Sequence, residues 1–186
     1  GGYLARTPQG HVIFCEGVFH RGQFETPFGP VRSKDATALY FDPVTRSLSL
    51  ERQTNHPNPW KISFNQWGES MQMYGGGQII DCDYYNISTP VGTSSSSSMG
   101  MPFRDDKGCT LTFVSSAHFP SDWQGGLITG HLLAKNAVLY TPLKIVEGTY
   151  MKGGDSLNLL SSPNKVFRPT DLAFGFDGAL YISDFY

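Results

Sequence analysis

The stretch Phe167-Arg168-Pro169-Thr170-Asp171-Leu172-Ala173-Phe174-Gly175-Phe176-Asp177-Gly178-Ala179-Leu180-Tyr181-Ile182-Ser183-Asp184 decides the fold. It reads as a strand over Asp171 to Phe174, a turn at Asp177-Gly178, and a second alternating strand over Ala179 to Ser183. Asp-Gly between alternating apolar runs signals a hairpin, because glycine accepts positive φ without steric cost. The same frame stands earlier: Pro59, Ile62, Phe64 and Gly68 repeat the spacing of Pro169, Leu172, Phe174 and Gly178, and the strand-like Glu69 to Tyr74 follows. At the start, Leu4 and Gly10 keep the separation of Ile62 and Gly68, and His11 to Cys15 follows. A weaker copy is Trp123-Gln124-Gly125-Gly126 ahead of Leu127 to Gly130.

The marker glycines are Gly10, Gly68, Gly126 and Gly178, separated by 58, 58 and 52 residues. Between copies lie further strand-like runs: Thr37 to Phe41 with Leu48 to Arg52, Cys109 to Ser115, and Ala137 to Leu143. A hairpin recurring at this period with two more strands between copies describes the four-stranded blade of a β-propeller. The expected fold is all-β, an arc of about three blades and the start of a fourth, over residues 1–186. A propeller ring needs four to eight blades. The chain therefore reads as a fragment, incomplete at both ends. Gly92 to Gly100, with serines at Ser94 to Ser98, reads as a flexible surface loop.

Composition agrees. Charged residues are 16% of the 186, aromatics are 13%, and 21 residues are glycine. Few charges with many glycines and aromatics suit short strands and tight turns, and exclude a coiled coil or helical bundle. A net charge of −2 argues against an electrostatic grip on nucleic acid or an anionic membrane. No apolar run is long enough to span a bilayer, and no signal peptide is visible. Cys15, Cys82 and Cys109 form no metal-type spacing and read as small strand residues.

Several motifs in order carry a family resemblance: Gly17-Val18-Phe19-His20 with Glu25-Thr26-Pro27-Phe28-Gly29-Pro30, Asn58-Pro59-Trp60 with Phe64-Asn65-Gln66-Trp67-Gly68, His118 to Gly125, and Phe167 to Leu172 with Asp177 to Tyr181 and Asp184-Phe185-Tyr186. Together they resemble the membrane-bound dehydrogenases of planctomycete and verrucomicrobial bacteria. In these a six-bladed propeller, similar to the quinoprotein glucose/sorbosone dehydrogenases, precedes helical repeats and a c-type haem domain. The resemblance implies a periplasmic or secreted oxidoreductase that takes hydride from a sugar or polyol onto pyrroloquinoline quinone and passes electrons to a cytochrome domain. It further implies cofactor contacts at Asn58, Lys135 and Arg168, whose amide and cations suit a tricarboxylate quinone. Two departures stand out. Pro57 replaces the arginine that precedes the asparagine in the quinoproteins, and the family's catalytic histidine would fall upstream of Gly1. No Cys-x-x-Cys-His haem motif is present, so any haem lies outside this chain.

Five histidines are present: His11, His20, His56, His118 and His131. His20 and His118, in loop-like segments, are the candidates for a base; the plain alternative is a solvated loop histidine. Arg168 could equally pair with a surface neighbour, and Asn58 could bond its own backbone ahead of Pro59. Trp60, Trp67 and Trp123 read as blade-packing residues, and Asp184 as structural. Asp81 and Asp83 around Cys82 are two oxygen donors, short of the six to eight that calcium gathers. Two rival functions remain: a non-catalytic propeller binding a protein or glycan, and a calcium-dependent lactonase-type hydrolase using Glu16 and Asn58 around a channel metal.

Overall fold

The structure, a computed structural model, describes residues 3–53, 58–75, 79–81, 107–133, 136–146 and 150–185. In chain order the first strands are β1 (Leu4–Arg6), β2 (Val12–Cys15), β3 (Arg21–Phe24), β4 (Val31–Lys34), β5 (Thr37–Asp42) and β6 (Ser47–Gln53). Then come β7 (Pro59–Phe64), β8 (Ser70–Tyr74), β9 (Ile79–Asp81), β10 (Gly108–Phe113), β11 (Leu127–His131) and β12 (Ala137–Thr141). The last are β13 (Leu143–Val146), β14 (Tyr150–Gly153), β15 (Leu157–Ser161), β16 (Pro169–Phe174) and β17 (Leu180–Asp184). All pairings are antiparallel, and the described helical structure is one short turn, Ser121–Trp123.

The fold is a partial β-propeller. Blade 1 is the sheet β1-β2-β5-β6, blade 3 is β10-β11-β12-β15, and blades 2 and 4 are described as β7-β8-β9 and β16-β17. Blade 1 carries the extra hairpin β3-β4 between its second and third strands, and blade 3 carries β13-β14 between its third and fourth. The first strand of each blade lies against the first strand of the next, β1 on β7, β7 on β10 and β10 on β16. These four strands therefore line the channel.

The core lies between blades rather than within them. Tyr3, Ile13 and Ala38 of blade 1 meet Ile62 of blade 2. Met71 and Met73 of blade 2 meet Leu111, Leu127 and Leu139 of blade 3. Ile128, Val138 and Tyr140 of blade 3 meet Leu172 of blade 4. Alternation explains the split: Leu127 and Ile128 are neighbours in one strand, so they point to opposite faces and into different neighbouring blades. Residues 127–131 and 137–141 are buried throughout, as expected of strands covered on both faces. Each such aliphatic side chain contributes about 1.5–3 kcal/mol by leaving water.

The inner hairpins share one turn. Thr7, Asn65 and Gly175 each accept a hydrogen bond from the amide three residues on, that of Gly10, Gly68 and Gly178. Each also donates to the carbonyl four residues on, that of His11, Glu69 and Ala179. The three glycines have φ of 89°, 86° and 78°. In blade 3 Val114 takes the same role: its amide bonds Gly126 O at 2.8 Å, and the amide of Gly125, with φ of 76°, bonds Val114 O at 2.9 Å. The repeat glycine of blade 3 is thus Gly125, not Gly126. Ten residues, 115–124, occupy the place filled elsewhere by two. Gly126 serves another purpose, since a Cβ there would lie 2.5 Å from the Tyr140 ring.

Other expectations need smaller corrections. Pro142, which has no amide proton, separates β12 from β13, so the run Ala137 to Leu143 is not one strand. Trp123 packs as expected, stacked on Tyr140 at 4.0 Å and 5°. Trp67 does not; it stands 78% exposed on the blade 2 turn. The Cys15 and Cys109 side chains are buried. Cys82 and the segment Gly92 to Gly100 lie outside the described residues.

Blades 3 and 4 approach closely at Gly130. A Cβ there would meet Thr110 Cγ2 at 2.6 Å and Pro169 O at 3.2 Å, backbone that cannot yield cheaply. Gly130→Ala is therefore expected to destabilise the protein by about 1–3 kcal/mol. Thermal unfolding of the two proteins measures this, and an unchanged midpoint would contradict the close packing.

Candidate functional site at one rim of the channel

In three blades the pairing register slips at the same place: between Pro59 and Lys61, between Gly108 and Thr110, and between Pro169 and Asp171. Counting from these bulges makes Asn58, Lys107 and Arg168 equivalent. Each immediately precedes its blade's innermost strand, so all three stand at one rim. The connections from second to third strands return to that rim. They are residues 16–36, with His20, and in blade 3 the link that ends at Asn136. The glycine turns mark the opposite rim.

Arg168 is anchored through its backbone. Its amide donates to Asp184 Oδ1 at 2.8 Å, and its carbonyl accepts from the Phe185 amide at 3.1 Å. Asp184 is structural, as its position in the sequence implied. The Arg168 Nε is buried with no hydrogen-bond partner among the described residues. Asn58 adopts the left-handed region at φ 52°, which asparagine tolerates better than other side chains. It sits over Gly75, where a Cβ would lie 2.8 Å from Asn58 Cβ and 3.0 Å from Trp60 Nε1. The indole Nε1 of Trp60 is likewise buried without a described partner. Asn136, next in sequence to Lys135, donates from Nδ2 to Phe167 O at 2.6 Å, tying that loop to the residue ahead of Arg168. Lys135 itself lies outside the described residues, as do Pro57, His56 and Asp83.

The histidines separate. His20 is 71% exposed, with Nδ1 3.9 Å from Oε1 of Glu16, which is only 12% exposed. Ser33 Oγ donates to the other oxygen of Glu16. A Cβ at Gly22 would collide with the Glu16 carboxylate, so only glycine leaves it room. His118 stands at the opposite rim, on the enlarged turn of blade 3. Neighbouring Ser116 donates from Oγ to Gly178 O at 2.6 Å, and a Cβ on Gly178 would lie 3.4 Å from the His118 ring. There the Ala179 amide, then the Tyr181 hydroxyl, and more weakly His118 hold the Asp177 carboxyl below its usual range. His11 is also at that rim, hydrogen-bonded to Tyr40 and 3.9 Å from Asp42. His131 is fully buried beside Thr129. The structure therefore groups His20 with Asn58 and Arg168 at one rim and parts them from His118.

Deeper in the channel, Lys61, Thr110 and Asp171 hold equivalent places in β7, β10 and β16. Lys61 Nζ lies 2.6 Å from Asp171 Oδ1, and Thr110 Oγ1 donates to the same oxygen at 3.0 Å. Burial pushes the Asp171 carboxyl up. Lys61, the Leu172 amide and Thr110 together outweigh that and hold it below the usual carboxylate value. Among the described residues no group of three or more His, Cys, Asp or Glu is placed to hold a metal ion. No described helix is long and apolar enough to cross a membrane.

Sequence reasoning missed Lys107, Lys61 and Asp171. The last two were findable, each two residues after the matching Pro59 and Pro169. Lys107 was hidden because the enlarged turn of blade 3 breaks the count back from its glycine.

Known proteins share part of this sequence and the fold. Residues 80–186 match the family described as Domain of unknown function (DUF7133). The chain belongs to this family. A sequence search finds no significant match among curated proteins. Among solved structures, the crystal structure of a "putative oxidoreductase (glucose dehydrogenase)" from Thermus thermophilus is similar, with a TM-score of 0.66 and 17% identity. The likeness covers 98% of this chain and 57% of the Thermus protein, so this chain spans little more than half its length. At that identity the likeness establishes the propeller fold alone and nothing about activity or substrate.

The channel ion pair has a pH signature. Because the folded Asp171 titrates below its unfolded value of about 3.9, its stabilisation is present above that pH and is lost as pH falls through the lower folded value. Asp171→Asn is expected to lower the thermal midpoint at neutral pH and to flatten its decline below about pH 4. Equal acid limbs for the two proteins would refute the pairing.

Proposed function

We propose that this chain is an arc of a quinoprotein-type dehydrogenase propeller acting on a sugar or polyol. One observation carries the reading. Asn58 and Arg168 occupy equivalent rim positions, and the Arg168 Nε is buried there without an acceptor among the described residues. A buried donor left unsatisfied costs about 1–3 kcal/mol, and an anionic ligand at the rim relieves that cost. Lys107 adds a second cation at the same level. The donor set therefore fits a group bearing several carboxylates.

Pyrroloquinoline quinone, when bound there, supplies the hydride acceptor. Arg168 offers a planar fork to a carboxylate, Asn58 an amide donor, and Lys107 a point charge. The family resemblance adds Lys135 to this set. His20 is the exposed described histidine of the rim, with Glu16 facing its Nδ1. Its Nε2 is left to take the proton of a substrate hydroxyl. Electron transfer to a cytochrome domain and a periplasmic or secreted location complete the proposal. The dehydrogenase-like fold supports it, and the family resemblance adds the cofactor.

Binding of the quinone to the complete protein, followed by quenching of tryptophan fluorescence, tests this reading. Arg168→Met is expected to weaken binding by about 10- to 100-fold, and Arg168→Lys by less, because lysine lacks the fork. His20→Gln is expected to spare binding and abolish dye reduction with a sugar panel. Absence of quinone binding, or Arg168→Met binding as wild type does, would sink the proposal.

A further inference from the structure

Three consecutive blades converge on one carboxylate. Within the described residues every hydrogen bond to the Asp171 side chain falls on Oδ1, from Lys61 Nζ at 2.6 Å, Thr110 Oγ1 at 3.0 Å and the Leu172 amide at 2.9 Å. Oδ2 accepts none of them. Lys61 Nζ spends one of its three protons on Asp171, and no second partner among the described residues engages it. Both side chains reach solvent, at 24% and 53% exposure. The pair lies three residues along the strands from Asn58 and Arg168, roughly 10 Å from the rim.

We propose that Lys61 and Asp171 form a hydroxyl-binding site for a vicinal diol, the pattern that polyols and sugars carry. The argument is one of donors and acceptors. A carboxylate only accepts and an ammonium only donates, whereas a hydroxyl does both. One hydroxyl of the diol donates to the open Oδ2 while its neighbour's oxygen accepts from Lys61 Nζ. Adjacent hydroxyls thus match adjacent opposite charges without breaking the pair. Other ligand classes fit less well. An anion is repelled by Asp171 and a cation by Lys61, and a lone hydroxyl uses one partner at a time. The site is also held ready. Residues from β7, β10 and β16 fix it through Oδ1, so little side-chain freedom is lost when a ligand arrives. It needs none of the rim donors and no cofactor, and so goes beyond the quinone reading.

The test is calorimetric titration of the complete protein, without quinone, with myo-inositol and with cyclohexanol as the single-hydroxyl control. Saturable binding is expected for myo-inositol and none for cyclohexanol. Asp171→Asn and Lys61→Met are each expected to weaken inositol binding by at least about tenfold. Thr110→Val removes only a donor to Oδ1. It is expected to lower the thermal midpoint and, by loosening the preset Oδ1, to weaken inositol binding only about two- to threefold, far less than the changes at positions 61 and 171. Should Asp171→Asn or Lys61→Met fail to fold, Asp171→Glu moves the carboxylate by one methylene and is expected to weaken inositol binding too. The proposal is overturned if the wild type does not bind myo-inositol, if cyclohexanol binds as well, or if the folded variants at position 61 or 171 bind inositol as the wild type does. With no quinone present, none of these results depends on the dehydrogenase reading.

Discussion

The whole arrangement depends on one constraint: a blade can bury its faces only against other blades. The central strands of blade 3 show it most clearly. In β12, Leu139 turns to the methionines of blade 2 while Tyr140 turns to Leu172 of blade 4. With no helical layer among the described residues to cover either face, successive sheets must stack about a common axis at a regular interval. That stacking brings the first strands side by side and so sets the starts of β7, β10 and β16 at one level. Asn58, Lys107 and Arg168 share a rim for this reason, although long stretches of chain separate them.

The channel wall adds an electrostatic tie to this apolar packing. Lys61 and Asp171 join blades 2 and 4 across the inner strand of blade 3, and Thr110 of that strand shares the same oxygen. An exposed pair of this kind contributes little, about 0–1 kcal/mol. Its greater consequence is geometric, since it orients one oxygen of Asp171 into the wall and frees the other. Charge in this chain is therefore placed where the repeat sets it: donors at the rim, and an opposed pair further in. The opposite rim has another character. There the enlarged turn of blade 3 carries His118 toward Gly178, and Trp67 stands clear of any blade interface.

The blades were legible wherever the inner hairpin closes in four residues. Gly10, Gly68 and Gly178 need a left-handed backbone that side chains resist, so the turn leaves its mark in the sequence. Blade 3 closes with the same two hydrogen bonds, yet Val114 and Gly125 stand far apart in the chain. Local spacing could not show that they are partners. The hairpins β3-β4 and β13-β14 escaped for other reasons. The hairpin β3-β4 carries residues such as Arg21 and Lys34 and little of the apolar alternation that announces a buried strand, whereas β13 does alternate, at Leu143 and Ile145, but reads as the tail of β12 when Pro142 is passed over. Asn58 and Arg168 were candidates through the family resemblance, which matched each to a cofactor contact, and each stands one residue before a proline of the repeat. His118 looked equal to His20 because both lie in loops, and nothing local says at which end of the strands a loop emerges.

The sequence by itself determined that the chain is all-β, that it repeats as blades, and that Asn58 and Arg168 occupy corresponding places. Turn chemistry and strand alternation are local properties, expressed over a few neighbouring residues, and they survive in a linear reading. Only the tertiary structure decided which loops share a rim, that Lys107 is the counterpart of Asn58, and that Lys61 meets Asp171 110 residues away. Those relations arise from the closure of sheets upon one another. Strand direction and bulge position, rather than distance along the chain, place each side chain there.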